Sequence, residues 1–158
     1  MWDRETVEAV RREKERFRES ADLRNSLRLW SNSVYSDEIH YALELIQNAE
    51  DEGARLISFT IKPDRIIVRN DGRAFSAEDV HALCSVGQSR KRNKIGFFGI
   101  GFKSVFAVTD APHILSGHYN FRVEEYIYPE NVDGVPEEVQ DLGRGLRRGL
   151  HLATEAAV

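Results

Sequence analysis

Residues 44–51 read Glu-Leu-Ile-Gln-Asn-Ala-Glu-Asp, and the fold of this chain can be inferred outward from them. In a helix, at about 100° per residue, Glu44, Asn48 and Asp51 fall on one narrow stripe because they are spaced i, i+4 and i+7. The pattern predicts a helix over residues 37–52 that gathers an amide and two carboxylates on one surface. Its apolar residues lie on the opposite side and are predicted to face the core: Ile39, Ala42, Leu43, Ile46 and Ala49.

The polar stripe has the chemistry of a magnesium site. Hard cations prefer oxygen ligands and keep several waters, so the amide oxygen of Asn48 is a candidate Mg²⁺ ligand. Glu44 is a candidate general base that could take a proton from an attacking water. Any amphipathic helix has a polar face, however, and this stretch alone leaves both interpretations open.

Asp71-Gly72 follows two short β-rich runs, Leu56 to Ile61 and Asp64 to Arg69, which predict a strand pair. A carboxylate presented at a strand end can accept a hydrogen bond from the exocyclic amine of adenine. An ordinary Asn-Asp-Gly turn is the alternative.

Residues 96–101 read Gly-Phe-Phe-Gly-Ile-Gly and precede a predicted helix, Phe102 to Val108. Backbone N–H groups and the dipole at such a helix start favour phosphate, and glycines permit its close approach. Glycines that merely allow close packing are the alternative. A dinucleotide-binding Rossmann site is excluded because its glycines are spaced differently and follow the first strand. Lys103 could reach a phosphate oxygen, or could equally be a solvated helix lysine.

Composition sets the remaining limits. The 158 residues fit one domain, and a net charge of −4 argues against a nucleic-acid partner. A lone cysteine, Cys84, is typical of a reducing compartment, and no stretch approaches a membrane span. We therefore expect a cytoplasmic protein without a membrane partner.

Along the chain we expect a charged amphipathic helix over residues 1–30, a domain over 31–128, and a loop with a weak C-terminal helix over 129–158. Ser76 and Asp79 predict a capping box that starts a helix over 77–85. Strands are predicted at His113 to Ser116 and Tyr119 to Tyr128.

The order of the three motifs resembles the GHKL superfamily of Bergerat-fold ATP-binding domains, and within it the sacsin and NO VEIN branch. This resemblance implies an α/β two-layer sandwich: a mixed, mainly antiparallel sheet covered on one face by helices. It also implies ATP and Mg²⁺ as cofactors, ATP or ADP as ligands, Glu44 as catalytic base, Asn48 as metal ligand and residues 87–95 as a lid. The implied nucleotide-binding residues are Asn48, Asp51, Asp71, Gly72, Gly96, Gly99, Ile100, Gly101, Phe102 and Lys103.

Two departures from the family pattern bear on activity. Arg73 stands where chaperone relatives have a second glycine, and no strand that would close the sheet is recognisable after Tyr128, as if the domain were truncated. The expected function is an ATP-binding, chaperone-like or conformational-switch module with slow hydrolysis, acting on a protein client or partner domain. The alternative is a non-hydrolysing nucleotide-binding or interaction module. A histidine kinase is disfavoured because its phospho-accepting histidine would lie on a separate helix well before the nucleotide pocket, whereas His40 lies on the same predicted helix as Asn48.

Overall fold

The computed structural model of the chain describes residues 1–34, 39–85, 101–135 and 150–155, with backbone alone at 30–34 and 150–155. The described helices are α1 (Arg4–Glu15), α2 (Ala21–Val34), α3 (His40–Asp51), α4 (Ala77–Leu83) and the 3-10 helix Gly101–Ala107. The described strands are β1 (Ile57–Ile61), β2 (Arg65–Asn70), β3 (His113–Ser116), β4 (Tyr119–Glu124), β5 (Tyr128–Asn131) and β6 (Leu150–Glu155).

The six strands form one sheet in the order β1-β2-β6-β3-β4-β5. Strand β6 occupies the centre, where Leu152 lies opposite both Val68 of β2 and Ile114 of β3. All pairings among the described strands are antiparallel, so a parallel pair of the predicted mixed sheet is not found within them. The predicted combination of helices with a mainly antiparallel sheet is confirmed.

Helices α1, α3 and α4, the 3-10 helix and the sheet share one hydrophobic core, while Leu27 of α2 packs in a second cluster with Ile127 and Tyr128. Helix α1 contributes Val7 and Val10, so the first helix is part of the same core as the sheet. Burying an aliphatic or aromatic side chain of this kind stabilises the fold by about 1.5–3 kcal/mol. The other fully buried contributors include Leu45, Val68, Val80, Leu83, Phe102, Val105, Ile114, Phe121 and Val123.

Local interactions fix the start of α4 and the end of α3. The Ser76 hydroxyl accepts a hydrogen bond from the Asp79 backbone N–H at 3.3 Å, and the Asp79 carboxylate accepts one from the Ser76 N–H at 2.8 Å. This reciprocal pair is the predicted capping box. Gly53, with φ +75°, follows the end of α3 in the left-handed conformation that favours glycine. The predicted start of this helix at residue 37 lies outside the described residues.

Two predicted elements are each divided in the structure. The helix expected over residues 1–30 is two helices, because the chain turns after Glu15 and the second helix begins at Ala21. The strand expected over 119–128 is interrupted by Glu125 and Tyr126, whose φ values of 47° and 72° end β4 and begin the turn into β5. Periodicity does not show such breaks when polar and apolar residues continue to alternate.

A loop and a weak C-terminal helix were predicted over residues 129–158, and the structure has strands at two places in this range. Tyr128–Asn131 is strand β5, and Leu150–Glu155 is strand β6 instead of a weak helix. Strand β6 is a strand that closes the sheet after Tyr128, which sequence inspection failed to find.

Candidate functional site

Helix α3 turns its polar stripe toward the body of the domain and packs against the 3-10 helix. Asn48 is only 5% exposed and lies among the buried Leu45 and Ala49. Glu44 and Asp51, the other members of the stripe, are partly buried. The structure thus brings the three predicted residues to one inward-facing surface.

The apolar side of α3 departs from the prediction. Ile39, Leu43 and Ile46 are 65%, 57% and 41% exposed, although they were expected to face the core. The buried face of the helix is instead centred on Leu45 and Ala49, which lie beside the polar stripe. Helical periodicity shows which residues share a face but does not show which face the fold covers.

The Asn48 side chain carries an unusual oxygen. Its Oδ1 is buried and has no hydrogen-bond partner among the described residues. Leaving such an acceptor unpaired costs about 1–3 kcal/mol, so buried amide oxygens are nearly always satisfied. An oxygen held in this way fits a hard cation, because the cation would supply the missing partner.

Glu44 meets Gly101, the first residue of the 3-10 helix. A Cβ placed on Gly101 would lie 2.0 Å from Glu44 Oε2 and 2.9 Å from its Cδ. Only a glycine therefore lets this backbone approach the carboxylate so closely. Burial raises the pKa of the Glu44 carboxyl group, and the nearby His40 opposes this effect. A raised pKa makes the carboxylate a better proton acceptor near neutral pH.

Asp71 lies at the turn after β2 and is exposed. Its Oδ1 accepts hydrogen bonds from the backbone N–H groups of Leu56 and Arg55, both at 2.8 Å. These bonds lower the pKa of Asp71, so its carboxylate is ionised at neutral pH. The residue therefore fixes the loop before β1 in addition to any role toward a ligand.

Gly72 has no space for a side chain. Its N–H donates to Asn70 Oδ1 at 3.0 Å, and an added Cβ would lie 3.1 Å from that oxygen and 3.3 Å from the Glu52 carbonyl oxygen. The glycine thus allows the turn to pack against the loop that follows α3.

Arg73 is a site residue to which sequence reasoning gave no role. Its Nε donates to Glu52 Oε2 and its Nη1 to Asp79 Oδ2, each at 2.7 Å. The hydrogen bond with Asp79 raises the pKa of the guanidinium further. The signal available in the sequence was the arginine itself, standing in place of the family glycine.

Lys103 and Phe102 point into the protein interior, each 1% exposed. The Lys103 ammonium group donates to the carbonyl oxygens of Leu83 and Tyr126. Burial lowers the pKa of Lys103 to about 8. These hydrogen bonds give no support to the predicted phosphate contact of Lys103, since its donors bind the end of α4 and the β4–β5 turn.

The remaining predicted residues, Gly96, Gly99 and Ile100, lie outside the described residues, as does the predicted lid over 87–95. Within the described ranges, no three His, Cys, Asp or Glu side chains are grouped to hold a metal ion. A magnesium ion at Asn48 would therefore need phosphate oxygens and water to complete its coordination.

Comparison with known proteins gives this arrangement a family. The Sacsin domain profile matches residues 61–125. Over 150 residues the chain is 38% identical to Protein NO VEIN of Arabidopsis thaliana, covering 85% of this chain and 5% of that protein. It is 37% identical over 95 residues to human Sacsin, covering 47% of this chain and 2% of Sacsin. The chain contains a sacsin-type domain of the GHKL superfamily.

A more distant similarity connects the sacsin-type domain to chaperones. Chaperone protein HtpG of Desulfitobacterium hafniense is 26% identical over 174 residues, covering 85% of this chain and 28% of HtpG. The domain is thus related to chaperone-like ATPases, and it spans less than a third of each of these relatives. Across the part of the chain that the structure describes, none of the helices is long and apolar enough to cross a bilayer.

Proposed function

We propose that the sacsin-type domain binds ATP with Mg²⁺ between α3, the Asp71-Gly72 turn and the 3-10 helix. Nucleotide binding would then change how the domain contacts a protein client or another domain. Members of the GHKL superfamily include ATP-dependent chaperones, and the relation to HtpG supports a chaperone-like role for this chain.

The observation that carries the proposal is the buried Oδ1 of Asn48, which has no hydrogen-bond partner among the described residues. A fold retains an unsatisfied buried oxygen only when the rest of the structure offsets its energetic cost, and such costly groups are commonly found at functional sites. The oxygen lies on the stripe that also holds Glu44 and Asp51, beside the glycine that admits Glu44 to the 3-10 helix. Amide and carboxylate oxygens at one surface are the donor set expected for Mg²⁺.

Each residue has a defined task in this proposal. Bound Mg²⁺ would neutralise charge on the phosphate groups. Asn48 would hold the metal through Oδ1, and Asp51 would add negative charge next to it. Burial raises the pKa of Glu44, and in this proposal its carboxylate orients a water molecule and accepts its proton. Asp71, kept ionised by two backbone N–H groups, accepts a hydrogen bond from the adenine amine.

Titration of the purified protein with a fluorescent ATP analogue, with and without Mg²⁺, tests the proposal directly. Asn48→Ala should abolish the Mg²⁺-dependent part of binding and leave the circular dichroism unchanged. Gln47→Ala is a matched control, because it removes an amide from the exposed side of the same helix. An Asn48→Ala variant that binds as tightly as the unmodified protein would refute the magnesium role.

One observation favours a second candidate, a module that binds nucleotide without hydrolysing it. Lys103 donates to two backbone carbonyls in the interior, so a cation expected near the phosphates is engaged elsewhere. Electrostatic stabilisation of developing phosphate charge is a large part of catalysis in phosphoryl transfer. ATP binding without phosphate release above the buffer rate would support this alternative.

The cellular setting forms part of the same proposal. Cys84 is free and fully buried, which suits a reducing compartment such as the cytoplasm. Measuring whether the protein remains in the cytosolic fraction of its own cells tests this assignment.

A further inference from the structure

We propose that Arg73 is a positioning residue that holds Asp71 in place relative to α3, and this inference rests on the proposed nucleotide function. The guanidinium joins two elements on either side of the turn. Glu52 is the residue that ends α3, directly after Asp51, and Asp79 belongs to the capping box that begins α4. One side chain therefore ties the metal-binding helix and α4 to the turn that carries Asp71.

The contacts around Arg73 are made by both backbone and side chain. Its N–H donates to the Glu52 carbonyl oxygen at 3.0 Å, while Nε donates to the Glu52 carboxylate at 2.7 Å. Its Nη1 donates to Asp79 Oδ2 at 2.7 Å and to the Ala74 carbonyl oxygen at 3.0 Å. A planar guanidinium can bond two carboxylates in fixed directions, which a lysine ammonium group does not reproduce.

Burial makes these ion pairs more than an ordinary surface contact. The Glu52 and Asp79 side chains are 9% and 15% exposed, whereas the Arg73 side chain is 48% exposed. Burial raises the pKa of Asp79, but the hydrogen bonds from Arg73 and Ser76 outweigh it and lower the pKa overall. Arg73 thus pairs with two largely buried carboxylates that flank the turn, and pairs of this kind are sensitive to loss of a partner.

The Asp71-Gly72 turn lies between the Arg73 ion pairs and the loop before β1. Asp71 reaches back to the N–H groups of Arg55 and Leu56, while Gly72 packs against the Glu52 carbonyl oxygen. Movement of Arg73 away from Glu52 would release the turn at its second end, and Asp71 would shift with it. The amide protons of Arg55 and Leu56 therefore report the position of Asp71 without any nucleotide present.

The test compares Arg73→Lys with Arg122→Lys. Arg122 is a matched control because its side chain is 49% exposed and also pairs with two carboxylates, those of Glu124 and Glu130, on β4 and β5. In Arg73→Lys, we expect hydrogen exchange at the Arg55 and Leu56 amides to accelerate about tenfold, with core amides unchanged. We expect the affinity for the ATP analogue and for adenosine to fall by a similar factor.

Arg122→Lys should change neither measurement. Equal acceleration at core positions such as Val68 would mean that Arg73 only stabilises the fold, which overturns the proposal. Unchanged exchange at Arg55 and Leu56 overturns it as well. If the unmodified protein binds no nucleotide, the proposed function fails, yet the exchange measurement still decides whether Arg73 positions Asp71.

A second variant covers the case in which Arg73→Lys does not fold. Glu52→Gln weakens the interaction between Arg73 and Glu52 and leaves the pair between Arg73 and Asp79 intact. Exchange at Arg55 and Leu56 should then rise by about threefold or more, since a charged hydrogen bond has become a neutral one. Exchange at the unmodified rate in this variant contradicts the positioning role.

Discussion

Replacing Gly101 by alanine tests the contact between the 3-10 helix and the predicted catalytic base. The new Cβ would stand 2.0 Å from Glu44 Oε2, whereas ordinary contacts of this kind begin at about 3.4 Å. The Glu44 carboxylate must therefore retreat by about 1.4 Å into another rotamer, which costs about 0.5–1.5 kcal/mol. The backbone itself tolerates the change, because Gly101 does not have a positive φ.

Glu44→Ala reverses the sign of this effect. Without the carboxylate, the methyl group has room, and a compatible glycine-to-alanine change stabilises a protein by about 0.4–1 kcal/mol. Because this gain is present in both backgrounds, it cancels in a double-mutant cycle, and urea denaturation should give a coupling free energy equal to the rotamer cost at Glu44, about 0.5–1.5 kcal/mol. Additive effects would show that Gly101 and Glu44 are not in contact. Any ATP turnover in Gly101→Ala should fall by about a hundredfold, as expected when a catalytic group is displaced by about 1 Å.

Three further outcomes are expected. Asp71→Ala should weaken ATP and ADP binding alike by about tenfold or more. Asp71→Asn retains the oxygen that accepts from Arg55 and Leu56, so it should lose nucleotide binding without loosening the loop before β1. Equal binding of GTP and ATP by the unmodified protein would contradict the adenine assignment. Glu44→Ala should keep ATP binding and lower any turnover by about 10²- to 10⁴-fold. Any turnover by the unmodified protein should fall on acidification at a pH above the ordinary glutamate pKa, because burial raises the pKa of Glu44. A Glu44→Ala variant that hydrolyses ATP at the normal rate would exclude Glu44 as the general base. Burial lowers the pKa of Lys103 to about 8, so between pH 8 and the pKa of lysine in the unfolded chain, proton binding favours the unfolded state. The free energy of unfolding should therefore rise with pH in this range, by up to about 1.4 kcal/mol per pH unit. Chemical denaturation of a Cys84→Ala variant measures this rise without the opposing titration of the thiol, and Lys103→Met should remove it.

The sequence predicted elements whose determinants are local. Ser76 and Asp79 lie three residues apart and cap α4 through their own hydrogen bonds, so the helix start could be inferred from four residues. Strand β3 has its predicted bounds, His113–Ser116, because a glycine turn directly follows it. The polar stripe of α3 was found because helical spacing alone places Glu44 and Asn48 together.

Features that depend on distant parts of the chain were not predicted. Strand β6 lacks a strong β pattern, and its conformation follows from having β2 on one side and β3 on the other. The roles of Arg73 and Lys103 were also missed, since both depend on partners more than five residues away along the chain. For Lys103, the alternatives considered from sequence were solvent and phosphate, and neither includes the two carbonyls that it binds in the interior.

The central position of β6 has a consequence for how the chain folds during synthesis. Among the described strands, β6 is what joins the β1–β2 hairpin to the β3–β5 meander, so until residues 150–155 leave the ribosome each half exposes an unpaired strand edge. Because β6 pairs with partners about 35 to 90 residues earlier in the chain, closure of the sheet must be slow relative to formation of the hairpins. Nascent chains paused before residue 150 are therefore the species most exposed to edge-to-edge aggregation.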